Sequence, residues 1–143
     1  MGILATIKNS ILTVGGKTLE TEFILVPGLH AASAYASGDA MGGLLVIERV
    51  FDSSGRPQPF PKSGLIHKVT VLDLDKEQLA FDIMLFQSKF TATADDSAFD
   101  PDDIEVRDFI GHISVTAADY AAASDNAVAT VANLSFAFQA PQQ

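Results

Sequence analysis

Phosphate binding is the first chemistry to look for in this chain, because Gly38-Asp39-Ala40-Met41-Gly42-Gly43 packs three glycines into six residues. The run lacks the lysine that a phosphate-binding loop sends to the β- and γ-phosphates, and no helix pattern follows it. Its glycines read instead as a turn that needs positive φ or close packing, with Asp39 accepting backbone hydrogen bonds inside the turn. The acidic cluster Asp95, Asp96, Asp100, Asp102, Asp103, Glu105 offers oxygen ligands of the kind calcium takes. It has no EF-hand spacing, and helix capping accounts for Asp100, Asp102 and Asp103 without a metal.

Nucleophilic chemistry has little to start from. His30, His67 and His112 are far apart and form no HxH or HExxH pattern. No Gly-x-Ser-x-Gly elbow is present, and Ser37 has glycine on one side only. Paired carboxylates for glycoside hydrolysis would need a walled cleft with aromatic sugar platforms, and the chain has no tryptophan and two tyrosines. Phe81, Phe86, Phe109, Phe136 and Phe138 fall on strand patterns and read as core residues, since aromatic rings bury the most apolar area per side chain. No catalytic residue, cofactor or metal ligand is assigned on these grounds.

The elements that would hold these residues are mostly strands. The 143 residues are 48% hydrophobic and 19% charged, a globular composition of one-domain length. A chain of this size can bury roughly 68–70% of its unfolded surface in a single core. Cysteine is absent, which excludes disulfides and thiolate metal sites. Eighteen acids against nine Lys and Arg give a net charge of −9, which repels nucleic-acid phosphates. The opening Met1–Lys8 segment has no basic region ahead of its apolar residues, so no signal peptide is expected. The apolar runs fall short of the about 20 residues that span a membrane.

Residues 3–7 and 11–14 predict a hairpin across Asn9-Ser10, with Gly15-Gly16 as the next turn. Residues 18–26 alternate, placing Leu19, Thr21, Phe23 and Leu25 on one face. Residues 44–51 read as a strand buried on both faces and 52–61 as an exposed loop. Residues 64–74, 79–86 and 109–115 read as strands, and 126–138 as one or two more. A helix of about two turns is predicted from Asp100, with Pro101 at its first position. Thr116-Ala117-Ala118-Asp119 predicts a single capped turn, Thr116 at the cap and Asp119 at the third position. Seven to nine short strands and one or two short helices predict a single all-β domain over 1–143, an antiparallel sandwich or jelly roll. Residues 1–25 form its first hairpin or an N-terminal arm.

Several of these stretches, in order, resemble a group of small virion proteins of tailed phages and prophages. Tyr35-Ala36-Ser37-Gly38-Asp39-Ala40-Met41-Gly42-Gly43-Leu44 is similar to the group's YAAGDxxGGLL element. Ser63-Gly64-Leu65-Ile66 matches its Gly-containing loop and Ile83-Met84-Leu85-Phe86 its LVLF-like strand. Residues 90–100 match the next element and Phe109-Ile110-Gly111-His112-Ile113 its isoleucine-glycine strand. Ala118-Asp119-Tyr120 and Asp125-Asn126-Ala127-Val128-Ala129-Thr130 match its closing ADY and DN-VAT segments. The resemblance covers about 26–138 and departs from the group at 1–25 and around 56–61.

It implies a capsid decoration (cement) protein without enzymatic activity. Such a protein is made in the host cytoplasm and bound to the outside of the head, where it contacts the major capsid protein as a homo-oligomer, with a trimer favoured. No catalytic residue, cofactor, nucleic acid or membrane is implied. Tyr35, Gly38, Asp39, Gly42, Gly43, Asp119, Tyr120, Asp125 and Asn126 are then structural motif residues. Ile3, Ile7, Ile11 and Val14 are candidate capsid or inter-subunit contacts, because an apolar N-terminal strand can pair with a neighbour by strand addition. The alternative is a tail or fibre adhesion module binding host glycans, which would call for aromatic loop residues beyond Tyr35, Phe51 and Phe60.

Overall fold

The computed structural model describes residues 6–8, 12–14, 17–21, 24–25, 35–47, 49–88 and 91–139. The protein is all-β and antiparallel, with thirteen strands among these residues. They are β1 (Thr6–Lys8), β2 (Leu12–Val14), β3 (Lys17–Thr21), β4 (Ile24–Leu25), β5 (Val50–Phe51), β6 (Pro57–Gln58), β7 (Ser63–Ile66), β8 (Val69–Asp73), β9 (Phe81–Phe86), β10 (Phe109–Val115), β11 (Tyr120–Ala123), β12 (Asn126–Val131) and β13 (Phe136–Gln139). Two short 3₁₀ turns, Glu105–Asp108 and Ala117–Asp119, are the helical elements among the described residues. No described helix is long and apolar enough to cross a membrane.

The strands form a five-stranded sheet, β11-β12-β8-β1-β4, a six-stranded sheet, β13-β7-β2-β3-β5-β6, and the two-stranded ribbon β10-β9. The lateral orders of the two larger sheets explain why there are more strands than expected. Four stretches of chain, β12 to β13, β8 to β7, β1 to β2 and β4 to β3, each supply one strand to each sheet in the same sequence of neighbours. Residues 64–74 are therefore not one strand. The chain bends at His67-Lys68, and β7 joins the second sheet while β8 joins the first. The inward-facing set changes phase at the bend, from Ile66 to Val69, Val71 and Asp73, which a single alternation read across 64–74 misses. Two residues, 67–68, face four, 132–135, across this corner, where Asn133 takes φ of 60° and the Leu134 amide donates to the His67 carbonyl at 2.9 Å. Strands that switch sheets at bends are a known way to make the corners of packed sheets.

The same arrangement revises the N-terminal reading. β1 lies between β4 and β8, and β2 lies between β3 and β7, so the two do not pair as a hairpin. The hairpin is β2–β3, with Val14 opposite Lys17; Gly15 and Gly16, expected as its turn, lie outside the described residues. Ile7 and Val14 sit on these interior strands, whose backbones are engaged on both sides, rather than on an edge open to strand addition. Ile3 and Ile11 lie outside the described residues.

Core residues follow the strand period. Val69, Val71 and Asp73 point inward from β8, Ala127 and Ala129 from β12, and Ile113 and Val115 from β10. The main cluster joins Ile66, Val69, Val71, Ile113, Val115 and Ala129. Phe81, Ile83 and Leu85 pack on it from β9, on one face as expected, with Phe136 and Phe138 from β13. A smaller cluster holds Leu19 and Val50 under Phe60 and Phe138. Burying each such aliphatic side chain contributes about 1.5–3 kcal/mol before entropy is counted.

Residues 44–51 are expected as a continuous strand; among the described residues of that stretch, strand is confined to Val50–Phe51. The expected loop after them is the β5–β6 hairpin. Asp52 closes it by accepting hydrogen bonds from the Ser54 and Arg56 amides at 2.9 and 3.0 Å and from Gln58 Nε2 at 3.0 Å. Gly55 supplies the φ of +74° that this turn requires.

Candidate functional site

The Gly-rich corner is an anchored loop. Ala36 and Asp39 close its turn, with the Asp39 amide donating to the Ala36 carbonyl at 3.2 Å and the Ala36 amide to Asp39 Oδ2 at 3.0 Å. Gly38, at the tip, has φ of +94° and open space where a Cβ would sit, so backbone conformation and not crowding requires the glycine there. Gly42 is buried with φ of 70°, and Gly43 follows it into the 44–47 segment. The corner docks on 95–99. Asp39 bridges Ala98, the Ala40 amide donates to the Ser97 carbonyl at 2.8 Å, and the Phe99 amide donates to the Gly38 carbonyl at 2.9 Å.

Asp95 is the centre of this junction, and its part is not legible in a pattern of acids. Its Oδ1 accepts from the Tyr35 hydroxyl at 2.7 Å and from the Gly42 amide at 2.6 Å, joining the two ends of the corner. Burial, and then the carboxylate of Asp95, push the Tyr35 hydroxyl pKa up. Replacing Asp95 with alanine removes the acceptor for both donors. The expected result is faster amide hydrogen exchange at Gly42 and its neighbours, with a smaller change in global melting, because none of Tyr35, Gly42 and Asp95 is itself a member of the core clusters. Unchanged exchange at Gly42 would refute this role.

Asp119, Tyr120, Asp125 and Asn126 build a second anchored element. Thr116 and Asp119 cap the turn as expected, with the Thr116 hydroxyl and amide both donating to Asp119 Oδ2 at 2.7 Å. Those hydrogen bonds hold the Asp119 carboxyl below the usual carboxylate range. Asp125 occupies the two-residue turn between β11 and β12, and Asn126 opens β12 opposite Ala123. Tyr120 donates its hydroxyl to the Leu79 carbonyl at 3.0 Å, and Lys76 Nζ reaches the Ser124 carbonyl at 2.9 Å. Two contacts therefore tie this hairpin to the turn after β8. Inside that turn lies Asp73, 1% exposed, accepting from the Asp75 amide at 3.1 Å and the Gln78 amide at 2.7 Å. A polar residue at the inward-facing end of the Val69, Val71, Asp73 alternation was the sequence signal for it.

The pH dependence of this element follows from its two shifted groups. Asp119 is lowered in the folded state, so its contribution is present above the ordinary carboxylate value of about 3.9 and is lost as pH falls through the folded value. Burial first, then the charges of Asp73 and Asp119, push Tyr120 up to about 12. Its contribution is complete below about pH 10 and is lost as pH rises through the folded value. In Asp119→Asn, melting temperature should fall less steeply on acidification than in the native chain. Parallel melting curves between about pH 5 and 2 would count against the assignment.

The helix expected from Asp100 is a shorter 3₁₀ turn set later, at Glu105–Asp108. Asp102 and not Asp100 caps it. Asp102 Oδ1 accepts from the Ile104 and Glu105 amides at 2.8 and 2.7 Å, and Glu105 Oε2 accepts from the Asp102 amide at 2.9 Å. This is the reciprocal pairing of a capping box, spelled Asp-x-x-Glu at 102–105. Glu105 Oε1 also takes the Thr91 amide at 2.7 Å, and Asp108 takes the Gln87 amide on its carbonyl at 2.9 Å and the Ser88 hydroxyl on Oδ2. Among the described residues no group of three or more His, Asp or Glu side chains is placed to hold a metal ion.

This fixed turn closes a cleft on the outer face of the β9–β10 ribbon. Its lining, about 190 Å³ in volume, is Met84, Phe86, Phe99, Pro101, Val106 and Phe109. Phe86 and Phe109, expected in the core, are here instead, because they lie on the face of the ribbon opposite Ile83 and Ile113. His112 stands opposite Met84 on the same exposed face, and Ser114 donates to Asp82 at 2.5 Å further along it. His67 is half-buried in the β7–β8 bend, and His30 lies outside the described residues. No protein family, characterised protein or solved structure matches the chain.

Proposed function

We propose that the chain is a capsid decoration protein of a tailed phage. It binds the outside of the head across junctions between major capsid protein subunits, as a homo-oligomer with a trimer favoured, and has no enzymatic role. The observation that carries this reading is the ordered set of elements between Tyr35 and Phe138, together with the use the fold makes of them. Tyr35, Gly38, Asp39 and Gly42 anchor one loop, and Asp119 and Tyr120 anchor another. The side chains of Tyr35, Asp39, Asp119 and Tyr120 and the backbones of the two glycines are spent on hydrogen bonds within the fold, as suits a brace and not a reaction centre.

Mechanically, a head filled with nucleic acid is loaded outward, and a stiff β-domain bridging subunits adds contacts that must break before the shell opens. A symmetric oligomer holding several subunits gains avidity through effective concentration, so each contact can be weak. The net charge of −9 keeps free copies soluble and away from nucleic acid before assembly. The test is the location and copy number of the chain in purified particles. Copies on the head approaching the capsid protein in number are expected. Absence from heads would overturn the reading, and a few copies on tails would favour an adhesion module.

A further inference from the structure

The apolar cleft on the β9–β10 ribbon is more exposed than a core residue set should be. Met84 and Phe109 are each 42% exposed and Val106 51%. A contiguous apolar patch of this kind on a soluble domain marks a contact surface more often than it marks chance. Its walls are preformed. Phe86 meets Phe109 edge-on at 5.5 Å between ring centres and Phe99 at 6.4 Å, and the turn carrying Val106 is fixed by the Asp102–Glu105 box. A rigid receptor loses little entropy when it takes up an anchor.

Charge selects the occupant. Every lining residue between 99 and 109 has an acid next to it in the chain: Asp100 and Asp102 flank Pro101, Glu105 precedes Val106, and Asp108 precedes Phe109. Arg107 is the single Lys or Arg from 91 to 109. A second copy of this chain would set one acidic rim against another, which disfavours self-association through this face. The volume of about 190 Å³ is below the 300–1,000 Å³ usual for small-molecule sites and suits a protruding side chain.

We infer that this cleft receives an apolar side chain presented by a Lys/Arg-rich segment of a partner protein. Naming that partner as the capsid subunit rests on the decoration reading. The contact would combine a central apolar anchor with a charged rim, the division of labour common at protein interfaces. It is a surface separate from Ile7 and Val14, which lie on interior strands.

Two measurements separate the cleft from the reading it rests on. The first follows the Met84 and Val106 methyl resonances of the full-length protein during titration with three five-residue peptides: Lys-Arg-Leu-Arg-Lys, the same with glycine for leucine, and Glu-Asp-Leu-Asp-Glu. The first peptide should shift both methyls saturably, bind at least about tenfold more tightly than the other two, and weaken as salt rises. Equal responses to all three, or none at these methyls, would overturn the inference. The second measures co-sedimentation with phage heads assembled without this protein. Val106→Glu should bind at least about tenfold more weakly than the native chain while melting at the same temperature, and Leu79→Glu, remote from the cleft, should bind like the native chain. Native binding by Val106→Glu would overturn the cleft and leave the decoration reading standing. Failure of the native chain to bind heads would remove the decoration reading, and the peptide titration would then decide the cleft alone.

Discussion

Asp73→Ala should cost about 3 kcal/mol, the scale for leaving buried hydrogen-bonding groups without partners. The side chain is 1% exposed and accepts from two backbone amides, those of Asp75 and Gln78. Both belong to a turn in which Lys76 and Gln78 adopt φ of 55° and 54°, conformations that side-chain-bearing residues hold only when their surroundings impose them. The same turn presents the Leu79 carbonyl to Tyr120 and Lys76 to Ser124, so its loss would loosen the β11–β12 hairpin as well. For a domain of this length about 3 kcal/mol corresponds to a fall in melting temperature on the order of 10 °C. Asp73→Asn keeps one acceptor oxygen and turns an amide donor toward one of the two N–H groups, so it should fall between the native chain and Asp73→Ala. Thermal unfolding of the three proteins checks that order. A shift under about 2 °C for alanine would mean that the turn does not depend on this carboxyl group.

Gly111→Val should be nearly as damaging, for a steric reason. A Cβ at position 111 would run into the Phe136 ring, meeting Cε1 and, at 2.8 Å, Cδ1. The glycine sits where the β9–β10 register shifts between Phe109 and Gly111, and it lets β13 approach β10 closely enough for Phe136 to pack on the core. Overpacking of this kind costs about 1–3 kcal/mol. Gly111→Ala should be milder, and combining it with Phe136→Leu should cost less than the sum of the two single changes, because the smaller side chain relieves the clash. A double-mutant cycle by denaturant unfolding reads this coupling directly. Simple additivity would show that the two positions do not meet.

Much of the local architecture was legible because it is written in neighbouring residues. The Thr116–Asp119 cap, the β10 limits at Phe109 and Val115, and the inward set Phe81, Ile83, Leu85 all follow from short-range pattern. What was not legible depends on partners distant in sequence. Asp95 acquires its meaning from residues such as Tyr35, 60 residues away, and Gly42, 53 residues away. The helix start was misplaced because Asp100-Pro101 and Asp102-x-x-Glu105 are both good opening signals, and the second has the reciprocal partner. Phe86 and Phe109 read as core because an aromatic residue on a strand usually is. Only the pairing of β9 with β10 reveals that these two share the outer face.

The corner at which β7 becomes β8 and β12 becomes β13 has a mechanical consequence. Because four stretches of polypeptide pass from one sheet into the other, prising the sheets apart would load covalent backbone lengthwise rather than peel side chains off one by one. Tension would be shared among hydrogen-bond ladders sheared together, so the molecule should resist a steady pull well beyond what its modest apolar interior would suggest.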